Sequence, residues 1–328
     1  MRPALPEIIP REALDQARRR IYDAAIRTPL IRLPDGPPRL PGSPVPPEIW
    51  LKLETLQPVG SFKIRGARNA IAALDSGTLA RGVYTASAGN MALGLAWCAR
   101  ERLIKCTAFV PESAPRAKLD KLEQLGAGIV PVPYQQWWQI LQEHGFVGMP
   151  GRFIHPVADP AVMAGNGTIG SEILEDLPNL DTVLVPFGGG GLSCGIASAL
   201  RHAGCRARVI GCEIETATPL TAALAAGEPR LIERTPSFVD GIGGSGLLPE
   251  MWPLVRGLLD GAAAVSLEET KSAIRTLIDR AHIVAEGAGA VPVAAALSGR
   301  VSGRVICCVV SGGNIDVSVL TEILTLSR

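Results

Sequence analysis

Short apolar runs bounded by turn residues alternate with longer amphipathic stretches through most of the chain. That alternation predicts parallel strands, buried on both faces, joined and covered by helices. Strands are expected at 49–53, 82–85, 106–110, 129–132, 182–187, 209–214, 263–267 and 305–310. Between residues 115 and 125, Leu119, Leu122 and Leu125 fall on one helical face, with Ser113 as the expected cap and Gly126 as a left-handed stop. The stretch from Pro34 to Pro47 holds seven prolines and two glycines. It excludes a helix or central strand and reads as a surface excursion rather than a domain linker. No repeat of fixed period is present.

Composition narrows the class. With 328 residues and 47% apolar side chains, the chain is expected to form a compact protein of two domains with a large core. Its 32 basic and 31 acidic residues nearly balance, so nothing marks it for nucleic acid or an anionic membrane, and a small molecule is the expected partner. Neither an apolar leader nor a membrane-length apolar stretch occurs, which makes the cytoplasm the expected location. The seven cysteines lack the paired spacings of a zinc site and read as buried thiols, with Cys307 and Cys308 on opposite faces of one strand.

Four segments carry candidate chemistry. Residues 181–187 read as a strand, Gly188, Gly189, Gly190 and Gly191 as a tight turn, and Leu192 onward as a helix. Free N–H groups and the helix dipole suit a phosphate there; a packed turn is the alternative. No Gly-Lys-Ser/Thr follows, so a Walker A site fails. Glu213 and Glu215 lie where a dinucleotide fold would want an acid, but Ser193 stands where its fingerprint needs a third glycine or alanine. Lys63, in Ser61-Phe62-Lys63-Ile64-Arg65-Gly66-Ala67, is set in an apolar context that can depress an amine's pKa for imine chemistry, although most lysines are surface charges. Together the amine and the anion cradle suggest pyridoxal phosphate. Arg65 reads as a surface residue at a helix start. A third segment, Ser87-Ala88-Gly89-Asn90, joins strand to helix and suits a carboxylate, or is a simple capping turn with Ser87 or Asn90 as cap. The fourth, Ser311-Gly312-Gly313-Asn314, ends the last strong strand, where open α/β sheets bind ligands.

In this order, the segments resemble the serine/threonine dehydratase (ammonia-lyase) family of fold type II pyridoxal-phosphate enzymes, which includes serine racemase. His155-Pro156, Ala164-Gly165-Asn166-Gly167-Thr168 and Glu286-Gly287-Ala288-Gly289 extend the likeness over nearly the whole chain. The resemblance implies a two-domain, tryptophan-synthase-β-like α/β fold. A larger domain is expected from residues 1–57 plus 151–328, a smaller one from 58–150, with the cofactor between them, in a homodimer. It further implies that Lys63 forms the Schiff base and takes the Cα proton, and that Phe62 lies beside the pyridine ring. Asn90 is implied to bond the ring oxygen, Gly188 to Gly191 with Leu192 to bind the phosphate, and Ser311 to face the ring nitrogen. Ser87, Ala88, Gly89 and Asn90 are implied to hold the substrate carboxylate, and Glu286 to line the pocket. The implied reaction is α,β-elimination from a 3-hydroxy amino acid to a 2-keto acid and ammonia.

The chain departs from the family pattern in three ways. Ala88 stands where racemases carry a second serine, which disfavours racemisation. Met91 and Leu93 replace the family's histidine and glutamine, and Asn166 replaces a common glutamine, leaving room for a bulkier substrate such as 3-phenylserine or 3-hydroxyaspartate. Glu213 is the one candidate ligand for a monovalent or divalent cation, because Pro219 occupies the place of a second carboxylate. Trp137 and Trp138 read as core or interface. Two alternatives stay open: a β-replacement enzyme of the same fold, and a non-catalytic nucleotide or metabolite sensor.

Overall fold

The computed structural model describes residues 6–34 and 46–325; most of the proline-rich stretch lies outside them. Among the described residues, ten strands form two sheets: β1 (Leu30–Arg32), β2 (Glu48–Leu53), β3 (Val83–Ala86), β4 (Cys106–Pro111), β5 (Gly128–Val132), β6 (Arg152–Phe153), β7 (Thr182–Pro186), β8 (Arg208–Ile214), β9 (Gly261–Val265) and β10 (Val305–Val310). Six make one sheet in the order β1-β2-β10-β7-β8-β9, and four make the other in the order β5-β4-β3-β6. Every pairing is parallel except that of β1 with β2. Parallel neighbours require crossovers, and the helices supply them, covering both faces. We propose that the four-stranded sheet and its helices form the smaller domain, drawn from about residues 58–150 with β6 just beyond.

β10 explains why the larger sheet reads as continuous apolar runs. Val305, Cys307 and Val309 enter one core cluster, while Ile306, Cys308 and Val310 enter another on the opposite face. The paired cysteines are therefore separate, free and buried, and burial pushes the Cys307 thiol up to about 12. At neutral pH it is an inert core thiol.

The structure departs from expectation at several elements. β9 begins two residues earlier than predicted, because its Gly-Ala-Ala-Ala start is weakly apolar. The helix Arg116–Gln124 is entered through Pro115 without a side-chain cap, so Ser113 does not cap it; Gly126 does take the left-handed conformation, φ 77°. Arg65 is not a surface residue. Its side chain is fully buried and bonds Glu54 (2.8 Å to each oxygen), Glu172 (2.5 and 2.9 Å) and Thr168 (3.0 Å). Lys52, also fully buried, donates to Glu172 at 2.6 Å and to the Thr28 carbonyl at 2.7 Å. Two cations thus face two carboxylates, and the bidentate guanidinium geometry meets the charges that burial leaves unsolvated. The helix Pro160–Asp176, which carries Thr168 and Glu172, crosses against Arg65 at Gly165, where a Cβ would stand 2.4 Å from the Arg65 carbonyl oxygen.

Candidate active site

A cavity of about 520 Å³ lies between the two sheets, at the strand ends where α/β sheets place ligands. It is lined by Phe62, Lys63, the 87–90 turn, glycines 188–191, Leu192 and Ser311. The structure therefore brings together all the residues that the sequence singles out for cofactor and substrate. Glu213 is elsewhere. Its carboxylate accepts from the N–H groups of Leu220 (2.6 Å) and Thr221 (2.9 Å) and from the Thr221 hydroxyl (2.6 Å), capping the helix Pro219–Ala226. Among the described residues, no three His, Cys, Asp or Glu side chains gather as a metal-binding group.

The lysine turn is stitched to the end of β10. Ser61 bridges Gly312 in antiparallel fashion, Phe62 N–H donates to the Ser311 carbonyl (3.0 Å), and Gly313 N–H donates to Gly60 (2.8 Å). Lys63 then opens the helix Lys63–Ala72. Its Nζ donates to the Pro156 carbonyl at 2.9 Å and lies 5.0 Å from the Phe62 ring centroid. Desolvation in the cleft lowers the amine to about 8, while the Glu286 carboxylate opposes that fall. The carbonyl that receives Lys63 is itself held by His155, whose Nδ1 accepts from Val157 N–H (3.0 Å) and Ala158 N–H (2.8 Å). Burial keeps that imidazole neutral, at about 3.

The glycine run is a strand-to-helix junction. Gly190, at φ 94°, caps the helix Gly191–His202 without any side-chain hydrogen bond, a conformation that suits glycine alone. A Cβ on Gly191 would stand 2.7 Å from the Val157 carbonyl oxygen. The loop is thereby pressed against the His155–Val157 turn, and the first-turn N–H groups, which have no intrahelical acceptor, open on the cleft. That is a cradle for a phosphate. Ser311, buried at the end of β10, adds a neutral hydroxyl to the lining.

The helix Asn90–Arg100 also starts without a side-chain cap. Ser87 Oγ instead accepts from Gly89 N–H at 3.2 Å inside the turn, so neither Ser87 nor Asn90 caps the helix. Asn90 is pinned twice, its Nδ2 donating to Glu286 (2.8 Å) and its Oδ1 accepting from Asn314 (2.8 Å). Burial pushes the Glu286 carboxyl up to about 7. Sequence reasoning placed Glu286 near the cofactor without this pairing, which links residues 196 apart.

The sequence places the aromatic pair in core or interface, and both indoles do pack against core clusters; they also line the cleft, with Tyr134 and Leu141 of the same helix. The signal was present in the spacing: 134, 137, 138 and 141 form one helical stripe. Two further contacts are not disclosed by the sequence, Lys118 with Asp240 at the cleft and His144 Nε2 with Glu250 (2.9 Å) outside its lining.

Comparison with known proteins agrees with this geometry. Residues 21–312 match the family model described as pyridoxal-phosphate dependent enzyme. The chain is similar to an L-threonine ammonia-lyase of Thermotoga maritima, 42% identical over 284 residues that cover 84% of this chain and 70% of that protein. It is also similar to an L-threonine ammonia-lyase of Geobacter sulfurreducens, 40% identical over 329 residues, 98% of this chain and 78% of that one. Among solved structures, threonine deaminase isoform 2 from Solanum lycopersicum superposes with a TM-score of 0.83 at 28% identity, covering 96% of this chain and 92% of that one.

Proposed function

The chain belongs to the pyridoxal-phosphate dependent enzymes, and from that premise we propose that it is an ammonia-lyase of the threonine/serine dehydratase type. It would remove water from a 3-hydroxy amino acid and release a 2-keto acid and ammonia. One observation carries this reading: a lysine amine held at about 8 shares a cleft with an uncapped helix N-terminus built from glycines.

The residues present fit the cofactor. The N–H groups of glycines 188–191 and Leu192 would hold its phosphate, Lys63 its aldehyde carbon, Asn90 its ring oxygen, and Phe62 would lie beside the ring. Ser311 would face the ring nitrogen with a neutral hydroxyl. Bound there, pyridoxal phosphate supplies an electron sink for an amino acid joined to it, which protein side chains lack.

The chain's own groups account for the rest. The 87–90 turn, with its uncapped helix start, would hold the substrate carboxylate and orient the Cα–H bond. Lys63 Nζ would accept the Cα proton, a task for which an amine near the working pH is suited. The 3-hydroxyl leaves as water, and a second water hydrolyses the released enamine to keto acid and ammonia. Ala88 offers no hydroxyl as a second acid on the other face, which favours elimination over racemisation.

The test is to incubate the purified protein with pyridoxal phosphate, reduce with borohydride, map the labelled peptide, and assay keto acid from threonine and serine. Label at Lys63 with keto-acid release supports the reading. A colourless protein with Lys63 unlabelled overturns it.

A further inference from the structure

The helix Tyr134–Gln142 presents Tyr134, Trp137, Trp138 and Leu141 to the cleft at successive turns. Their exposure is graded. Tyr134 is 44% exposed, the two tryptophans are half-buried, and Leu141 is 6% exposed, so the stripe runs from the mouth inward. Neighbouring rings sit 5.7 and 6.5 Å apart, tilted by 31° and 37°, a range in which aromatic faces and edges attract. Met91 and Leu93, both buried, add apolar surface from the helix that begins at Asn90. Two of the cations at the mouth are engaged: Lys118 pairs with Asp240, and Arg234 stacks 5.7 Å over Tyr134 while donating to the Gly243 carbonyl (3.3 Å); Lys121 is exposed at the rim.

The methyl group of threonine would cover little of this surface, and half-buried indoles facing an open cleft gain by meeting an apolar partner. We propose that this stripe is an aryl subsite, and that the preferred substrate is a 3-hydroxy amino acid bearing an aromatic ring on C3, a 3-arylserine. The proposal rests on the ammonia-lyase reading and specifies its substrate. The chemistry balances without any further reactant. The Cα proton passes to Lys63 Nζ and from there to the departing hydroxyl, so that the C3–O bond breaks with loss of one water, and hydrolysis of the enamine consumes one water to give a 3-aryl-2-oxo acid and ammonia. The ring conjugates with the double bond that forms, which favours loss of the benzylic hydroxyl.

The experiment compares kcat/KM for 3-phenylserine and threonine in the loaded wild-type enzyme, Trp137→Phe and Trp137→Ala. Binding is followed separately through tryptophan fluorescence. Wild-type is expected to prefer 3-phenylserine by at least about tenfold, the scale that apolar pockets achieve. Its fluorescence should change on adding 3-phenylserine and not on adding threonine. Trp137→Phe should keep most of the preference and Trp137→Ala should cut it about tenfold. Threonine turnover with equal or greater kcat/KM, and no fluorescence response to 3-phenylserine, would overturn the aryl subsite while leaving the ammonia-lyase reading intact. Keto acid from neither substrate, with Lys63 labelled, would sink the ammonia-lyase reading and this proposal with it. Should Trp137→Ala fail to fold, the wild-type selectivity and the fluorescence response decide the matter.

Discussion

Glu286 Oε1 accepts a 2.8 Å hydrogen bond from the Asn90 carboxamide, joining the residue that caps the helix Gly287–Leu297 to the residue that opens the helix Asn90–Arg100. Because Asn314 holds the other end of the same amide at 2.8 Å, the Asn90 side chain has one orientation in the cleft. Two helix starts, one behind each sheet, are registered by a single amide.

That contact has a pH signature. Burial holds the Glu286 carboxyl at about 7 against an ordinary 4.5, so over that interval the folded chain keeps a proton that the unfolded chain has lost. Stability therefore falls as pH rises from 4.5 toward 7 and is level above it, by about 3 kcal/mol for this group. Urea unfolding of cofactor-free protein at pH 5 and pH 8 is expected to show this loss in wild-type and much less of it in Glu286→Gln. Equal slopes in the two proteins would remove the assignment.

Lys63 sets a second pH dependence. With the amine at about 8 rather than 10.5, the rate at which the protein captures added pyridoxal phosphate, followed by visible absorbance, is expected to rise with pH and level off just above 8. An ordinary lysine would still be gaining near 10. Lys63→Ala should show no such phase, and a midpoint near 10 in wild-type would contradict the desolvated amine.

At Gly191 an added Cβ would press to 2.7 Å from the Val157 carbonyl oxygen, and neither backbone segment is free to retreat. Gly191→Ala is expected to lose about 1–3 kcal/mol of stability. Its affinity for pyridoxal phosphate should drop at least about tenfold as the N–H groups move off their aim. Equilibrium dialysis and thermal unfolding measure the two effects, and unchanged affinity would mean that the loop does not hold the phosphate.

Arg65 tests the buried charges. Arg65→Leu leaves Glu54 without a cation and Glu172 with Lys52 alone, in a buried site, which is expected to cost about 3–5 kcal/mol. Arg65→Lys should recover only part of it, because an ammonium cannot bond both carboxylates with a planar fork. A loss under 1 kcal/mol in denaturant unfolding would show that the network contributes no more than a surface pair.

The sequence disclosed most of the sheets and little of what packs around the site. β2, β7 and β10 were readable because strands buried on both faces are apolar without interruption. β1 and β6, at three and two residues, are too short to carry a period. Lys63, the 87–90 turn and the glycine run were legible because glycine and asparagine at strand-to-helix junctions leave few structural explanations. The burial of Arg65 was not, since its carboxylates lie 11 and 107 residues away. Periodicity also assigns Trp137 and Trp138 to an apolar environment without distinguishing a core from a cleft wall.

β10 lies between β2 and β7 in the six-stranded sheet, and its end anchors the lysine turn through Ser311 and Gly312. During synthesis β2 and β7 exist long before the strand that must separate them, and pairing so distant in sequence is slow. The turn that carries Lys63 therefore lacks its anchor until residues 311–313 have been made and have paired with it. A nascent or truncated chain would expose a lysine without its desolvated pocket, so capture of the cofactor reports that the sheet has closed.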